Sequence, residues 1–188
     1  MRIGLTQRVL YHKGRAYDSI EHGWYSYLKD HTLSFIPNKA NDSKAIAEEL
    51  DCLIITGGDD SAMRRRTELN LASEMLKLSK PILGICHGSF LLTSVLGGTI
   101  TEIDNHMDTD HTVNYHDELF PVNSFHTLCI KNLHKSATVL AIDDQNNCEA
   151  WIDGNISGVV WHPERMKTPW MPVEISQLFF NIKNNQEN

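Results

Sequence analysis

Residues 81–88 read Pro-Ile-Leu-Gly-Ile-Cys-His-Gly, an apolar run that ends in a cysteine with one glycine two positions before it and another two positions after it. This spacing is typical of a nucleophile elbow, in which a buried strand ends in a sharp turn that presents a reactive side chain. A helix that starts near His87 directs its positive end at the sulfur of Cys86. We therefore predict a thiol that ionises readily and attacks an acyl carbon.

Cys86 also has a simpler interpretation, as a buried residue that closes a core strand, because free cysteine is among the most buried residue types. For a lone cysteine, that interpretation would be the better one. Gly84 and Gly88 favour the elbow instead, because a strand-to-helix turn requires small residues at these positions and a core strand does not.

Short apolar runs alternate with helical patterns along the first half of the chain, which is typical of parallel strands joined by crossover helices. The expected strands are 2–6, 33–36, 52–56 and 82–85, and the expected helices are 18–28, 43–50, 67–78 and 89–96. Frequent turn residues then predict an antiparallel extension with strands at 99–102, 111–115, 128–130 and 138–142. A core strand at 156–161 and an amphipathic helix at 173–182 complete an α/β fold.

Length and charge narrow the class of protein. With 188 residues, 41% of them hydrophobic, we expect one domain over residues 1–188, with a disordered tail at 183–188. A formal net charge of −7 argues against nucleic-acid and membrane-surface binding, since both favour a positive protein. Widely spaced cysteines suit a reducing compartment, and no stretch resembles a signal peptide or a membrane span, so we expect a cytoplasmic protein.

Three special sequences each follow a predicted core strand. Gly57 and Gly58 follow one strand, Cys86 follows the next, and His162-Pro163-Glu164 follows the last. Ligands of open α/β sheets bind beyond the carboxyl ends of the strands. We therefore expect these residues to converge on one edge of the sheet.

The residues expected at this edge can form a nucleophilic site. Attack by a thiolate needs a base that later protonates the leaving group, and a third group that orients the base. His162 is the candidate base and Glu164 the candidate orienting acid. Main-chain N–H groups must stabilise the oxyanion, and His87 and the Gly57-Gly58 pair are candidate donors. The alternative is that His162-Pro163 is an ordinary turn.

The motifs Ile-Thr-Gly-Gly-Asp-Asp at 55–60, Gly-Ile-Cys-His-Gly at 84–88 and Trp-His-Pro-Glu at 161–164 resemble those of the class I glutamine amidotransferase-like superfamily. Their order and spacing match over nearly the whole chain. The resemblance implies a flavodoxin-like, open and mostly parallel sheet with helices on both faces. It also implies Cys86 as nucleophile, His162 as base, Glu164 as orienting acid, Gly58 and His87 as oxyanion donors, and a γ-glutamyl thioester that water releases.

Val-Asn-Ser-Phe-His at 122–126 resembles the V-N-S-x-H segment of the free-standing γ-glutamyl hydrolase branch. This implies that Asn123, Ser124 and His126 hold the γ-glutamyl part of a small-molecule substrate. Gly57 is a further candidate substrate contact, because a glycine pair lets the main chain approach the substrate closely. The segment can also be a turn between two hairpin strands. Amidotransferases usually have glutamine four residues after the nucleophile, where this chain has Phe90. That departure weakens the case for glutamine as substrate, and we expect no obligatory synthase partner.

Two basic clusters indicate an anionic leaving group such as phosphate. One, with Arg8, lies in the predicted loop after the first strand, and the other begins at Arg64. Tyr17, in an aromatic helix start, can face a base or sugar. Solvated loops and a core-facing helix are the alternatives. Across the whole chain, resemblance to the hydrolases of capsular phosphoramidate synthesis implies a nucleotide-linked substrate, with glutamate and cytidine diphosphoramidate as products.

A metal site is a further alternative, because His106, His111 and His116 recur among acidic residues. A five-residue step suits neither a helical turn nor a tight hairpin, so we predict no metal and no cofactor. Two other functions also stay open. One is a glutaminase subunit that supplies ammonia to a synthase, and the other is a non-catalytic relative that binds a ligand in the same pocket.

Overall fold

A mixed sheet of eleven strands forms the centre of the fold, and a separate two-stranded hairpin lies beside it. The computed structural model describes residues 1–39 and 41–180. The strands are β1 (Arg2–Thr6), β2 (Arg8–His12), β3 (Arg15–Ser19), β4 (Thr32–Ile36), β5 (Cys52–Ile55), β6 (Ile82–Ile85), β7 (Thr99–Glu102), β8 (Met107–Tyr115), β9 (Glu118–Phe125), β10 (Leu128–Asn132), β11 (Thr138–Ile142), β12 (Cys148–Asp153) and β13 (Ile156–Val159). The helices are α1 (Gly23–Tyr27), α2 (Ser43–Glu49), α3 (Ala62–Lys77), α4 (His87–Val95) and α5 (Val173–Phe180).

Five parallel strands form the part of the sheet that carries the predicted motifs, in the spatial order β4-β1-β5-β6-β13. Counted along the chain, this is the order 2-1-3-4-5 of flavodoxin-like folds. Every residue of β5, β6 and β13 is buried, which explains why these segments read as continuous apolar runs rather than as alternating ones. The predicted fold class is confirmed.

An antiparallel extension continues the sheet from β13 through β12, β11 and β8 to β9, and β10 and β7 branch from β12. The predicted strands of this region are present, but β9 and β12 were not predicted. Residues 122–125 belong to β9, so the Val-Asn-Ser-Phe-His segment is the end of a strand rather than a turn between two strands.

The region after β1 differs from its prediction. A hairpin of β2 and β3 replaces the expected loop and the start of the expected helix at 18–28, and α1 covers only Gly23–Tyr27. The hairpin turns at Lys13 and Gly14, whose φ angles of 48° and 74° match the favoured two-residue turn. Both strands are largely exposed and so lack the apolar alternation that would have revealed them.

Other boundaries shift for local reasons. Helix α3 begins at Ala62 instead of at the predicted residue 67, because the side chain of Ser61 caps it by accepting from the N–H of Arg64 at 3.2 Å. Among the described residues, no helix is long and apolar enough to cross a membrane. All four cysteines are buried and unpaired. The predicted tail at 183–188 lies outside the described residues.

Candidate active site

Cys86 lies between β6 and α4 in a strained backbone conformation, with φ 48° and ψ −102°. A Cβ atom on Gly84 would lie less than 3.0 Å from the main chain of Gly88, and one on Gly88 less than 3.0 Å from the carbonyl oxygen of Ile55. No side chain fits at either position. This is the tight strand-to-helix turn of a nucleophile elbow, with positive φ at a residue that is not glycine.

The sequence predicts a thiol that ionises readily, but burial of Cys86 opposes this ionisation. Burial raises its pKa to about 11, and this effect outweighs the nearby main-chain N–H groups of His87 and Gly58, which lower the pKa. Cys86 is only 7% exposed, so the loss of hydration destabilises the thiolate by more than the N-terminus of α4 stabilises it. Gly58 and His87, which the sequence predicted as oxyanion donors, line the same cavity as Cys86.

His162 and Glu164 form a buried pair in which Nδ1 of the imidazole lies 2.7 Å from Oε1 of the carboxylate. Glu164 lies in a single helical turn at Pro163–Arg165, which brings its side chain back beside the ring. Since a carboxylate only accepts, Nδ1 carries the proton, and Nε2 is left to accept one. His162 and Cys86 line the same cavity.

Gly57 makes room for the imidazole of His162. A Cβ atom on Gly57 would lie less than 3.0 Å from Cε1 of the ring. On its other side, the ring of Phe125 packs edge-on against His162, with centroids 5.6 Å apart. The sequence predicted Gly57 as a substrate contact, but Gly57 is not among the residues that line the cavity.

Two side chains of the predicted glutamyl-binding segment have partners within the protein instead of facing the cavity. Asn123 bonds the main chain of His162, and Ser124 donates to the carbonyl oxygen of His106. His126 does line the cavity. Its Nδ1 bonds the carbonyl oxygen of Leu128 at 2.7 Å, and burial lowers its pKa to about 4. Of the three predicted contacts in this segment, the structure therefore brings only His126 to the cavity, where Phe125 lies beside it.

Arg64 is fully buried and does not contact the cavity, so its prediction as an anion contact is wrong. Its guanidinium donates to the carbonyl oxygens of Gly57 and Asp59 at 3.2 and 3.0 Å and pairs with Glu68 at 2.7 Å. Glu68 also bonds Nε2 of His87 at 2.8 Å. Because α3 starts at Ala62, Arg64 lies in the first turn of that helix, where its hydrogen bonds fix the main chain of Gly57 and Asp59.

The cavity beside Cys86 has a volume of about 630 Å³, and its rim carries three arginines, Arg8, Arg65 and Arg165. Arg8 and Arg165 share the carboxylate of Glu21, at 3.2 and 2.9 Å. Burial raises the pKa of Glu21, but its hydrogen bonds and ion pairs with Arg165 and Arg8 outweigh burial and hold the pKa below its usual value. Arg65 pairs with Asp60.

Tyr17 does not line the cavity, contrary to its prediction as a substrate contact. It lies on β3, where it is 48% exposed, because the segment is an outer hairpin strand rather than the start of a helix. Of the basic cluster around it, only Arg8 lines the cavity, and His12, Lys13 and Arg15 are exposed near the hairpin turn.

The sequence profile of the family described as glutamine amidotransferase class-I matches residues 15–182. The chain belongs to the class-I glutamine amidotransferase family. This confirms the resemblance drawn from the three motifs.

Relatives of this family member include enzymes with different activities. A γ-glutamyl-CDP-amidate hydrolase of Campylobacter jejuni is 29% identical over 183 residues, which cover 88% of this chain and 90% of that protein. One subunit of a glutamine-hydrolysing GMP synthase of Sulfurisphaera tokodaii is 31% identical over 150 residues, or 73% of this chain and 78% of that one. The relatives support an enzyme that acts on a γ-glutamyl amide.

The solved structure of a glutamine amidotransferase of Thermotoga maritima superimposes with a TM-score of 0.66 at 18% identity. The match covers 87% of this chain and 76% of that one. A second glutamine amidotransferase structure gives a TM-score of 0.70 at 15% identity, over 94% and 97% of the two chains. Both similarities support the fold of this member of the class-I glutamine amidotransferase family.

Several site residues of this amidotransferase-family chain escaped the sequence analysis. Phe125 lies within the predicted 122–126 segment and Arg165 directly follows Glu164, so their positions in the sequence were an available signal. In the structure, the guanidinium of Arg165 lies 4.7 Å from the centroid of the Phe125 ring. Glu21 gave no such signal, because its partner Arg165 is distant in the sequence, and the link from Glu68 to His87 likewise joins separate elements. Phe90 is buried, lines the cavity, and lies 6.0 Å from the ring of His126.

Proposed function

We propose that the protein is a cysteine-dependent hydrolase of a γ-glutamyl amide, with Cys86, His162 and Glu164 as its catalytic triad. One observation carries the proposal. A cysteine in a strained elbow, an imidazole fixed on a buried carboxylate, and Gly58 and His87, which can supply main-chain N–H donors, all meet at one cavity. This combination is what acyl transfer through a thioester requires.

In the first half of the proposed reaction, Sγ of Cys86 attacks the γ-carbonyl carbon as Nε2 of His162 takes the thiol proton. The raised pKa of Cys86 means that proton transfer accompanies attack, which makes the base essential. Glu164 stabilises the imidazolium through Nδ1–H. The C–N bond then breaks, and the departing nitrogen takes the proton from His162, which leaves a γ-glutamyl thioester.

In the second half, His162 removes a proton from water, which attacks the thioester carbon. The C–S bond breaks, the sulfur regains its proton from His162, and glutamate leaves. Both tetrahedral intermediates place a negative oxygen near the N–H groups of Gly58 and His87, and such donors contribute about 3–4 kcal/mol to catalysis in other hydrolases. Gly58 suits this role because its φ of 106° disfavours any other residue.

The proposed leaving group is a phosphoramidate joined to a nucleotide. Arg8 and Arg65 reach the rim of the cavity, and each forms an ion pair that a phosphate can replace. Phe90 occupies the position where amidotransferases usually have glutamine. The similarity to the γ-glutamyl-CDP-amidate hydrolase supports the same choice. The proposed products are glutamate and cytidine diphosphoramidate.

The test is glutamate release from γ-glutamyl amides with neutral, amine and nucleotide phosphoramidate leaving groups. We expect release from the nucleotide substrate to exceed release from glutamine by at least about 100-fold in kcat/KM. Cys86→Ala should abolish release, whereas Cys129→Ala, a change of another buried thiol, should not. Glutamate release that survives Cys86→Ala would refute the triad, and a preference for glutamine would refute the leaving group.

A second candidate function is a glutaminase subunit that passes ammonia to a synthase. The similarity to one subunit of a glutamine-hydrolysing GMP synthase favours it. Weak glutaminase activity that rises sharply when a synthase is added would support this function over the first.

A further inference from the structure

Three histidines and a glutamate form a cluster beside the cavity. The proposed reaction assigns no role to any of them. His106 precedes β8, His111 lies on β8, and Glu149 lies on β12. One ligand-type atom from each of these residues lies within 4.8 Å of the others. His126 joins them from the end of β9, with Nε2 3.9 Å from Oε1 of Glu149. Three separate strands therefore meet at this cluster.

A β-bulge explains how His106 and His111 reach the same side of the sheet. Residues five apart on a regular strand point to opposite faces. Here the register with β9 shifts between Met107 and Thr109, and Asp108 has a φ of 54°. The extra residue at the bulge places the side chains of His106 and His111 on the same face of the sheet. The expectation that a five-residue step prevents a metal site therefore does not hold for His106 and His111, whereas His116 lies apart and contacts Glu174.

The ring nitrogens of two histidines are set up as ligands. Nδ1 of His106 bonds the carbonyl oxygen of Asp104 at 3.0 Å, and Nδ1 of His126 bonds that of Leu128 at 2.7 Å. A carbonyl only accepts, so both Nδ1 atoms carry a proton, and in a neutral ring the lone pair that can bind a metal is then at Nε2. A hydrogen bond from Nδ1–H to a main-chain carbonyl is the usual support of a metal-binding histidine.

These lone pairs face carboxylate oxygens, which are also acceptors. Nε2 of His106 lies 3.4 Å from Oδ2 of Asp143, and Nε2 of His126 faces Glu149. Glu149 is fully buried, and neither of its carboxylate oxygens has a hydrogen-bond partner. Both ring nitrogens of His111 and Nε2 of His126 are likewise unpartnered. A buried carboxylate is costly unless a cation compensates it.

We propose that His106, His111, His126 and Glu149 form a binding site for a divalent transition metal, with Zn²⁺ as the best match. Imidazole nitrogen and carboxylate oxygen are ligands that zinc prefers, and four of them complete a tetrahedral site. The ion joins the hairpin of β8 and β9 to β12. Because His126 also lines the cavity beside Cys86, the metal fixes one wall of the substrate pocket. It is a structural ion, and the proposed hydrolysis does not depend on its chemistry.

The test is Zn²⁺ titration by calorimetry on untagged protein that has been stripped with a chelator. All variants carry Cys86→Ser, so that the cysteine and His162 do not compete for the ion. We expect one Zn²⁺ per chain, and a loss of affinity of more than about 100-fold in Glu149→Gln and in His111→Ala, because each removes a direct ligand rather than a supporting contact. His116→Ala, a change of a histidine in the same hairpin, should bind as tightly as the parent.

Failure to bind one equivalent at saturating Zn²⁺ would overturn the proposal, and so would unchanged affinity in Glu149→Gln and His111→Ala. Circular dichroism identifies a variant that has failed to fold. If Glu149→Gln does not fold, His111→Ala decides, since that side chain is partly exposed. Thermal unfolding gives a second readout. Zn²⁺ should raise the Tm of His116→Ala but not that of His111→Ala. Neither measurement requires the proposed hydrolase activity.

Discussion

The side-chain amide of Asn123 forms hydrogen bonds with both the N–H and the carbonyl oxygen of His162. Its Nδ2 donates to the carbonyl oxygen of His162 at 2.9 Å, and its Oδ1 accepts from the N–H of His162 at 2.8 Å. Asn123 lies on β9 in the antiparallel extension, whereas His162 follows β13. One side-chain amide therefore connects the extension to the proposed catalytic base, and Asn123 is a positioning residue.

Asn123→Ala should lower kcat by about 10-fold to 100-fold and leave KM nearly unchanged. The change removes two hydrogen bonds worth about 1 kcal/mol each, and the base then loses its alignment. Steady-state kinetics measures the effect. Asn132→Ala removes an exposed bond to Thr99 and should leave kcat as it is. A loss confined to KM in Asn123→Ala would instead indicate a substrate contact.

Replacement of the proposed base and of its orienting acid should have graded effects. His162→Ala should cost at least about 1,000-fold in kcat, because no other group accepts the proton of Cys86. Glu164→Gln should cost less, since an amide still contacts Nδ1 but does not stabilise the imidazolium. Kinetics of the two variants and of the parent protein gives the comparison. Equal activity in all three would contradict the triad.

Gly57→Ala should abolish activity while the protein stays folded. The added methyl group would lie less than 3.0 Å from Cε1 of His162, so the imidazole must move away from Cys86. Gly154→Ala is the matched control. The methyl group added there has no atom within 4 Å. The expected effect is a loss of stability of roughly 1–2 kcal/mol, because alanine disfavours the φ of 58° at this position. An active Gly57→Ala enzyme would contradict this prediction, because the main chain at Gly57 would then have moved to accommodate the methyl group.

Arg64→Ala should destabilise the protein by about 3–5 kcal/mol, because it removes the guanidinium that forms a fully buried ion pair with Glu68. Arg65→Ala is the neighbouring control. Its side chain is 57% exposed and pairs with Asp60, so the expected cost is about 0–1 kcal/mol. Urea unfolding measures both free energies. Equal costs would mean that the buried pair contributes no more than the exposed one.

Alkylation of Cys86 by iodoacetamide should be slow at pH 7 and accelerate toward pH 11. Only the thiolate reacts, and burial raises the pKa of Cys86 to about 11, so the reactive fraction increases as pH rises. Mass spectrometry of the Cys86 peptide gives the rate at each pH. A cysteine in an unstructured peptide, with an ordinary pKa of about 8.5, is the reference. A rate that levels off below pH 8 would contradict the raised pKa.

The parallel half of the fold was predictable because its strands are short and separated by helical patterns, and because β5, β6 and β13 are wholly buried. That pattern was also enough to place Cys86, Gly58 and His162 at one sheet edge. The hairpin of β2 and β3 was not predictable, since strands exposed on both faces carry no apolar alternation.

The interior roles of polar residues were equally hidden in the sequence. Arg64 looks like part of a surface cluster until its helix is known to begin at Ala62 and to place Glu68 beside it. Asn123 looks like a ligand contact until β9 is known to end beside His162. The bulge at Asp108, which brings His106 and His111 together, leaves no trace in composition or spacing. Each of these depends on contacts between distant parts of the chain.

The proposed nucleophile and base follow two adjacent strands. Ile85 of β6 pairs with Val159 of β13, and the N–H of Cys86 donates to the carbonyl oxygen of Val159 at 2.9 Å. To separate the two groups, the chain must open the pairing of β6 with β13, two strands whose residues are all buried. Such an opening has nearly the same free energy as global unfolding. On heating, catalytic competence should therefore persist until the cooperative transition and disappear with it, instead of fading beforehand.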